Sequence, residues 1–288
     1  RVAGDHRLGR GFGRIERLFA GGHLEAPAGA LDLPAFPASA AGPDLREIVL
    51  GSEGRLGILT TATVRITPIA AHDDFRAVFF PDFESGAAAV RAIVQAGLPL
   101  SMLRLSTAVE TQTNLALAGH RRLMAAVEHF LAARGAGADK CMLILGMNGA
   151  EAQVKLSRHV ALGLARQHGG VHVGRTFGQQ WHKNRFRAPY LRNTLWEMGY
   201  AVDTVETVTD WATVPALITT LGATLRDSLL DIGERTHVFT HLSHTYPSGA
   251  SVYTTYLYRL APDPDETLRR WQVLKEAAEP GTQFVALA

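Results

Sequence analysis

Hydrophobic and β-branched residues alternate with threonine over residues 58–66, which predicts a strand. Pro68 is expected to end it, because proline cannot donate a hydrogen bond to a sheet. The preceding residues 44–50 follow Pro43, which suits the first turn of a helix, and they lead to Gly51, a common stop. The pattern therefore predicts a short helix followed by a strand near the start of the chain.

The segment before this helix has a weaker pattern that several glycines and prolines interrupt. Short strands are predicted at 14–19 and 23–25, on either side of a turn at Gly21 and Gly22. Residues 26–41 are rich in alanine and proline and show no period, so we expect a surface loop there.

After residue 70 the pattern alternates between short apolar runs and segments with helical spacing. Asp82 is a typical N-cap before the first of these helices, and residues 246–249 have the composition of a hairpin turn. Strands are predicted at 77–80, 101–105, 141–147, 237–244 and 251–259, and helices at 83–95, 120–133, 151–168, 215–231 and 264–278. This order predicts an α+β fold with an antiparallel sheet.

The composition supports a folded protein with a substantial core. Of the 288 residues, 47% are hydrophobic and 19% are charged, which is too apolar for a disordered chain. The longest apolar runs are far too short to span a bilayer. The net charge of +2, with no block of like charges, gives no support for nucleic acid binding.

Cys141 is the one cysteine of the sequence, which excludes an internal disulfide and a cysteine-rich zinc site. It lies in the apolar run 141–147, where a buried strand residue is expected instead of a reactive thiol. A reducing compartment is the modest inference. With the alanine- and arginine-rich composition, this predicts a cytoplasmic protein of bacterial type.

A glycine-rich run joins the predicted short helix to the predicted strand. Glycines at this spacing let a backbone approach a ligand and expose its N–H groups to a phosphate or a ring edge, although a tight turn explains them as well. Because the run precedes a strand, it is not a Rossmann dinucleotide fingerprint. The candidate ligand-contacting residues are Gly51, Ser52, Glu53, Gly54, Arg55, Leu56, Gly57 and Ile58.

Two arginines are candidates for holding an anion, because the planar guanidinium fork suits phosphate and carboxylate. Arg104 lies in the otherwise apolar strand 101–105, where a side chain that reaches back to water is the alternative. Arg192 follows Pro189 and Tyr190 at an expected bend, and by itself it would be an ordinary surface arginine.

The predicted hairpin carries two histidines and two tyrosines. His241 and His244 fall on opposite faces of a strand, so they do not form a paired metal site, and one of them is expected to be structural. Tyr253 in the second strand is either a cross-strand packing residue or a general acid/base.

Several of these phrases, read with their neighbours, are similar to a known family. Residues 43–60 resemble the flavin-contacting segment of FAD-linked oxidases, the family with the vanillyl-alcohol oxidase and p-cresol methylhydroxylase type of flavin domain. Residues 11–16 resemble the phrase before its flavin strand. The end of its flavin loop is matched by Arg1, Val2, Ala3 and Gly4. The resemblance implies that FAD is the cofactor and that residues 1–4 and 51–58 contact it.

The segments around Arg104, Arg192 and Tyr253 resemble one branch of that family, the alkyldihydroxyacetonephosphate synthases (alkylglycerone-phosphate synthases), and the resemblance covers nearly the whole chain. It implies that the acyl group of acyl-dihydroxyacetone phosphate is exchanged for a fatty alcohol through an adduct at flavin N5, which is ether-lipid chemistry. By resemblance, Tyr253 moves the C1 proton and Arg192 holds the substrate phosphate. Arg104 and His241 line the substrate site.

The resemblance also divides the chain. Residues 1–70 correspond to the C-terminal part of an FAD-binding domain, and residues 71–288 to a cap domain that binds substrate and has an incomplete C-terminus. We expect truncation at both ends, because the pyrophosphate-binding half of the flavin domain is missing and residues 279–288 do not continue the family's histidine-rich wording. Arg55 stands where the family phrase usually has threonine.

Two alternatives remain beside the synthase: a redox FAD-linked oxidase or dehydrogenase of a hydroxy acid or alcohol, and an inactive truncated chain. The synthase interpretation implies a small phosphate or carboxylate substrate that carries a lipid chain. It leaves room for a peripheral membrane contact and for a homodimer, and it involves neither a metal nor nucleic acid.

Overall fold

The computed structural model describes residues 15–37, 41–117, 121–186 and 188–283, which form two antiparallel sheets with flanking helices. The smaller sheet has the strand order β2-β1-β3. Its strands are β1 (Phe19–Ala26), β2 (Gly29–Leu33) and β3 (Ile58–Val64), and its helices are α1 (Ile15–Leu18) and α2 (Leu45–Val49). Its buried core consists of Phe19, Leu24, Leu33 and Val49.

Gly21 and Gly22 lie inside a strand of the smaller sheet, although the sequence pattern predicts a turn there. The short helix and the strand predicted here are confirmed as α2 and β3, but the turn predicted at Gly21 and Gly22 is wrong, because both lie inside β1. A Cβ atom would lie 2.2 Å from the Leu33 carbonyl oxygen at Gly21, and 2.3 Å from the Thr61 carbonyl oxygen at Gly22. Glycine is needed where the two neighbouring strands approach β1.

The chain around β1 differs from the expectation in two further places. The strand predicted at 14–19 is wrong, because Ile15–Leu18 form α1 and the strand starts at Phe19. The loop predicted at 26–41 is wrong in part, because Gly29–Leu33 form β2. This edge strand is largely exposed and forms through backbone pairing with β1, so its side chains show no periodic pattern that would predict it.

The larger sheet confirms the predicted α+β fold with antiparallel pairing. Its strand order is β7-β4-β6-β5-β9-β10-β8, and each of these neighbouring pairs is antiparallel. The strands are β4 (His72–Phe80), β5 (Leu100–Ser106), β6 (Cys141–Gly149), β7 (Val171–His172), β8 (Tyr200–Asp210), β9 (His237–Thr245) and β10 (Gly249–Arg259).

Helices follow most of these strands. They are α3 (Phe83–Gln95), α4 (Ala108–Leu117), α5 (Arg121–Ala133), α6 (Glu151–Gln167), α7 (Thr176–Asn184), α8 (Ala188–Glu197), α9 (Val214–Asp227), the 3₁₀ turn Leu230–Ile232, and α10 (Pro264–Gln283). The predicted cap of α3 is confirmed, because the Asp82 carboxylate accepts a hydrogen bond from the Ser85 backbone N–H at 2.8 Å.

The two faces of the larger sheet are covered differently. One face packs against α3, α6, α9 and α10, and this packing makes the main apolar core. The opposite face is apolar over β4, β6 and β5, where Phe79 and Ile144 pack with Leu131 of α5 and Phe177 of α7. Over β9, β10 and β8 the same face carries polar side chains. We call the strands β9, β10 and β8 the polar half of the sheet.

The sequence pattern does not predict α4, α7, α8 or β8. Strand β8 mixes valine with threonine, aspartate and glutamate, and its pairing with β10 from Tyr200 to Asp210 defines it. The bend expected at Pro189 is wrong, because this residue lies in the first turn of α8. Proline is tolerated there, since its missing N–H leaves no helical hydrogen bond unmade.

Cys141 begins β6 and is buried, as predicted, and burial raises the pKa of its thiol to about 12. Within the described ranges, no helix combines the length and the apolar character needed to cross a bilayer.

Candidate active site on the polar half of the large sheet

Strand register places a row of polar side chains across one face of the larger sheet. Ser106 at the end of β5 pairs with His241, His241 pairs with Tyr253 of β10, and Tyr253 pairs with Glu206 of β8. Arg104 lies two residues before Ser106 and therefore on the same face of β5. The sequence positions span more than 140 residues, and only the antiparallel pairing brings them together.

Arg104 is held inside the protein by three polar contacts. Its Nη2 donates to Glu110 Oε1 at 2.5 Å and lies 3.1 Å from His241 Nδ1, and its Nη1 donates to Ser106 Oγ at 3.2 Å. The side chain is 12% exposed. The alternative of an arginine that reaches back to water is therefore wrong, because the guanidinium is bonded inward.

Glu110 is a functional candidate that the sequence reasoning missed. It lies in the first turn of α4, and its side chain is only 3% exposed. Burial alone raises the pKa of this carboxyl, but the charge of Arg104 and the contacts with His241 and Arg104 outweigh it, and the pKa falls to about 2. The carboxylate is therefore ionised at neutral pH, next to the guanidinium.

The backbone at the start of α4 determines where this carboxylate lies. The Thr107 backbone N–H donates to the Thr240 carbonyl oxygen at 2.9 Å, which joins the β5–α4 connection to β9. An acidic residue in the first turn of a helix is also favoured by the helix dipole. An acid six residues after a strand arginine was the available signal, but the weak apolar stripe of α4 hid the helix.

His241 and Tyr253 form a stacked pair in the middle of the row. Their ring centroids lie 4.9 Å apart with planes inclined by 23°. His241 is buried, and its Nδ1 lies 3.2 Å from Glu110 Oε1. Burial, followed by the charge of Arg104, lowers the pKa of His241, so the imidazole is neutral at neutral pH. Tyr253 is partly exposed, which leaves its ring accessible from this face.

Glu206 ends the row on β8. Its exposed carboxylate accepts a hydrogen bond from Ser251 Oγ at 2.5 Å. Ser251 pairs in register with the buried Ser243, so two hydroxyls extend the polar surface beside the stacked rings. The site thus combines a guanidinium, an imidazole, a phenol and two carboxylates, which are groups able to hold an anion and to move a proton.

Arg192 lies elsewhere on the molecule. It is exposed on α8, and its charge acts on Tyr258, where it opposes the rise in pKa that burial causes. Tyr258 lies five residues beyond Tyr253 on β10 and points to the opposite, apolar face. The structure therefore brings Arg104, His241 and Tyr253 together and places Arg192 apart from them.

The predicted cofactor segment lies in the smaller sheet. Arg1, Val2, Ala3 and Gly4 fall outside the described residues, whereas 51–57 form the turn between α2 and β3. The backbone has positive φ at Gly51 (78°), Glu53 (50°) and Gly54 (79°). The turn is closed by hydrogen bonds from the Ser52 and Arg55 backbone N–H groups to the carbonyls of Val49 and Ser52.

The surroundings of this turn fit a bound cofactor. A Cβ atom at Gly51 or Gly54 would meet nothing within 4 Å, so both glycines face open space, whereas one at Gly57 would lie 2.4 Å from the Glu25 carbonyl oxygen. Strand β3, which follows, is exposed along its whole length, and Ile58 is 72% exposed. An open left-handed turn next to an exposed strand that begins with Ile58 and Leu59 suits a group with polar edges and a flat apolar ring.

Comparison with known proteins agrees with these features. Residues 69–281 match the family model described as FAD linked oxidases, C-terminal domain. The alkyldihydroxyacetonephosphate synthase of Dictyostelium discoideum is 26% identical over 252 residues, which is 84% of this chain and 41% of the relative. The uncharacterized FAD-linked oxidoreductase YgcU of Escherichia coli is 24% identical over 90% of this chain and 52% of its own length.

A solved structure shows the same fold. That of an alkyldihydroxyacetonephosphate synthase aligns with a TM-score of 0.78 at 24% identity, over 96% of this chain and 50% of the other. The chain thus spans about half the length of the relatives it matches. The family model covers most of the chain, and membership of it indicates FAD as the cofactor. The chain belongs to the FAD-linked oxidase family, whose C-terminal domain its residues 69–281 match.

Proposed function

We propose that this chain acts in an FAD-dependent enzyme that exchanges the acyl group of acyl-dihydroxyacetone phosphate for a fatty alcohol. In this proposal residues 1–70 are the C-terminal part of the FAD-binding domain and residues 71–288 the cap domain that binds substrate. The observation that carries it is the convergence of Arg104, His241 and Tyr253 on one accessible face of the large sheet. A relative and a structural neighbour named as synthases support it.

The exchange balances without net oxidation. The bond between C1 and the acyl oxygen breaks, a fatty acid leaves, and the alcohol oxygen bonds to C1 after it loses its proton. Bound FAD supplies the covalent chemistry at C1, and the residues 51–58 are the part of the described chain proposed to contact it. The remaining work is the handling of protons and charge, which the polar row performs.

Tyr253 is the proposed acid/base that takes the proton from C1 and returns it. His241 stacks on its ring and keeps the phenol at a fixed position, because the imidazole is itself held by Arg104 and Glu110. Arg104 supplies the positive charge that stabilises negative charge formed on the substrate. The shared position of these residues in one row supports each of these proposed roles.

Arg192 is the proposed ligand of the substrate phosphate. It is exposed on α8, apart from the row, so its fork is available to a dianion. Since binding and proton transfer are then separate tasks, Arg192→Ala is expected to raise KM about tenfold or more with a small effect on kcat. An unchanged KM would remove this assignment.

The experiment that tests the function follows both products. The FAD-loaded protein is incubated with acyl-dihydroxyacetone phosphate and a radiolabelled fatty alcohol. We expect label in an alkyl product and one fatty acid released for each label incorporated, with no reduction of an artificial electron acceptor. Release of fatty acid without incorporation would show hydrolysis and would contradict the proposal.

A second candidate is oxidation of a hydroxy acid or alcohol, which the FAD-linked oxidoreductase among the relatives favours. In that case Tyr253 would take the hydroxyl proton while FAD accepts the two electrons and the second hydrogen. Reduction of an artificial acceptor by a hydroxy acid, without exchange of a labelled alcohol, would select this candidate over the synthase.

A further inference from the structure

We propose that Glu110 is a positioning residue of the candidate active site, which holds Arg104 in place and keeps the proton of His241 on Nδ1. The Nε2 atom of His241 then carries the lone pair and accepts hydrogen bonds. The contribution to catalysis rests on the proposed function, whereas the position of the proton does not.

The first argument is the geometry of three atoms. Glu110 Oε1, Arg104 Nη2 and His241 Nδ1 form a triangle with sides of 2.5, 3.1 and 3.2 Å. One carboxylate oxygen therefore contacts both His241, which stacks on Tyr253, and Arg104, which lies beside His241. A shift of this oxygen would move the guanidinium and the imidazole together.

The second argument is what the carboxylate does not do. Within the described part of the chain, the buried Glu110 Oε2 has no hydrogen-bond partner. The carboxylate's hydrogen bonds with described residues therefore run through Oε1 to Arg104 and His241. Leaving a buried carboxylate oxygen without a hydrogen bond costs free energy. A purely structural ion pair would give no reason to retain a residue with this cost.

The third argument assigns the proton. A neutral imidazole has two forms: Nδ1–H donates to Glu110 Oε1, or Nδ1 accepts from Arg104 Nη2 and the proton lies on Nε2. The second form sets the lone pair of Nδ1 against an ionised oxygen at 3.2 Å. The first form lets one anionic oxygen accept from both donors, and it is the arrangement that the charges favour.

Four elements of the described chain contribute charged or titratable groups around His241. Arg104 lies on β5, Glu110 on α4, Tyr253 on β10 and Glu206 on β8. Arg104 opposes protonation of the imidazole, and the two carboxylates favour it. Glu110 is the one of these carboxylates in hydrogen-bond contact with Nδ1, so it decides which nitrogen keeps the proton.

The test reads the proton by NMR on the full chain labelled with ¹⁵N-histidine, with His241→Gln to identify the signals. The wild-type protein is expected to show Nδ1–H at His241. In Glu110→Ala, the carboxylate that accepts from Nδ1 is lost while Arg104 can still donate to this nitrogen, so the proton is expected on Nε2. Glu110→Gln preserves the volume and is expected to populate the Nε2–H form in part, should the alanine variant fail to fold.

Asp74→Asn is the matched control, because Asp74 is also a buried carboxylate paired with arginine on the same sheet. It should leave the His241 signals unchanged. Kinetics then test the catalytic part: Glu110→Gln should lower kcat about 100-fold with KM and bound FAD nearly unchanged, because misplaced groups lose reactivity more than affinity.

Three results would overturn the proposal. One is a wild-type proton on Nε2, and another is a proton position that neither Glu110 variant changes. The third is a wild-type kcat in Glu110→Gln with an altered His241 signal. A wild-type protein with no exchange activity would instead contradict the proposed function, and the NMR result would still decide the role of Glu110 at His241.

Discussion

Asp74 of β4 and Glu110 of α4 are both buried carboxylates beside the large sheet, and they contact different neighbours. Asp74 lies on the face that packs against α3 and α6, and its oxygens accept from Arg76 at 2.8 and 3.1 Å and from Arg158 of α6 at 3.1 Å, with Arg175 at 3.3 Å. Glu110 lies beside the opposite face, where it contacts Arg104 and His241 of the row that includes Tyr253.

The comparison separates a structural ion cluster from a functional one. Hydrogen bonds from Arg76 and Arg158 overcome the effect of burial and lower the pKa of Asp74, so both carboxylates are ionised. Asp74 has three arginines and joins β4 to α6 and to the start of α7. Glu110 has one arginine and a histidine next to an accessible phenol. Burial and charge alone do not distinguish a structural carboxylate from a functional one. The residues that contact each carboxylate do distinguish them.

The largest difference is expected when each carboxylate loses its main arginine. Arg104→Ala leaves Glu110 buried beside no cation and should cost about 3–5 kcal/mol of unfolding free energy, together with all activity. Arg76→Ala leaves Asp74 with two other arginines and should cost about 1–3 kcal/mol. Urea unfolding measures both, and equal losses would show that the two clusters are not different in kind.

Acid unfolding should reveal the ionised Glu110. Its folded pKa lies below the unfolded value, so the stability that it contributes is present above about pH 5 and is lost as the pH falls toward 2. The shift from 4.5 to about 2 corresponds to about 3 kcal/mol. Glu110→Gln should flatten the profile in this range. Parallel profiles for variant and wild type would contradict the ionised state.

His241 should add a separate pH dependence at higher pH. Because its folded pKa is lowered, its contribution is present above the unfolded value of 6.5 and is lost as the pH falls below it. The slope is at most about 1.4 kcal/mol for each pH unit. His241→Gln should remove this part of the stability change between pH 7.5 and 5.5, as measured by urea midpoints. The same midpoint change in both proteins would place the imidazole in a different environment.

The smallest effect is expected at the rim of the Asp74 cluster. Arg175 is 51% exposed, and exposed ion pairs contribute about 0–1 kcal/mol because water and salt screen them. Arg175→Ala should therefore change the unfolding midpoint little and the exchange rate not at all. A loss of activity in this variant would mean that the Asp74 cluster also takes part in function.

The sequence could predict those parts of the fold that have a clear local pattern of hydrophobic residues. Helices with a clear stripe and strands with apolar runs, such as Phe83–Gln95 and Cys141–Gly149, are confirmed close to their predicted bounds. The turn predicted at Gly21 and Gly22 is wrong, because glycine is common both in turns and where two strands approach closely. Close approach depends on a neighbouring strand that no local pattern contains.

For the site, the sequence supplied the residues but not their assembly. Arg104, His241 and Tyr253 could be named by resemblance, whereas their common row depends on the register of β5, β9 and β10. The sequence did not indicate Glu110, because α4 shows little amphipathic pattern. The role of Glu110 depends on its contacts with Arg104 and with His241, which is distant in sequence. A role that consists of contacts cannot be read from one position.

The most direct test compares two tyrosines that lie three residues apart on β10. Tyr253 lies in the row, whereas Tyr256 points to the opposite face, where it is fully buried and donates to Asp203 Oδ2 at 3.3 Å. Both are changed to phenylalanine in the FAD-loaded protein, and exchange of labelled alcohol is measured together with the flavin absorbance near 450 nm.

Tyr253→Phe is expected to lower the exchange rate about 100-fold or more while FAD stays bound, because only the acid/base hydroxyl is lost. Tyr256→Phe is expected to keep the wild-type rate. A wild-type rate in Tyr253→Phe, with the flavin bound, would contradict the assignment of the polar row as the active site.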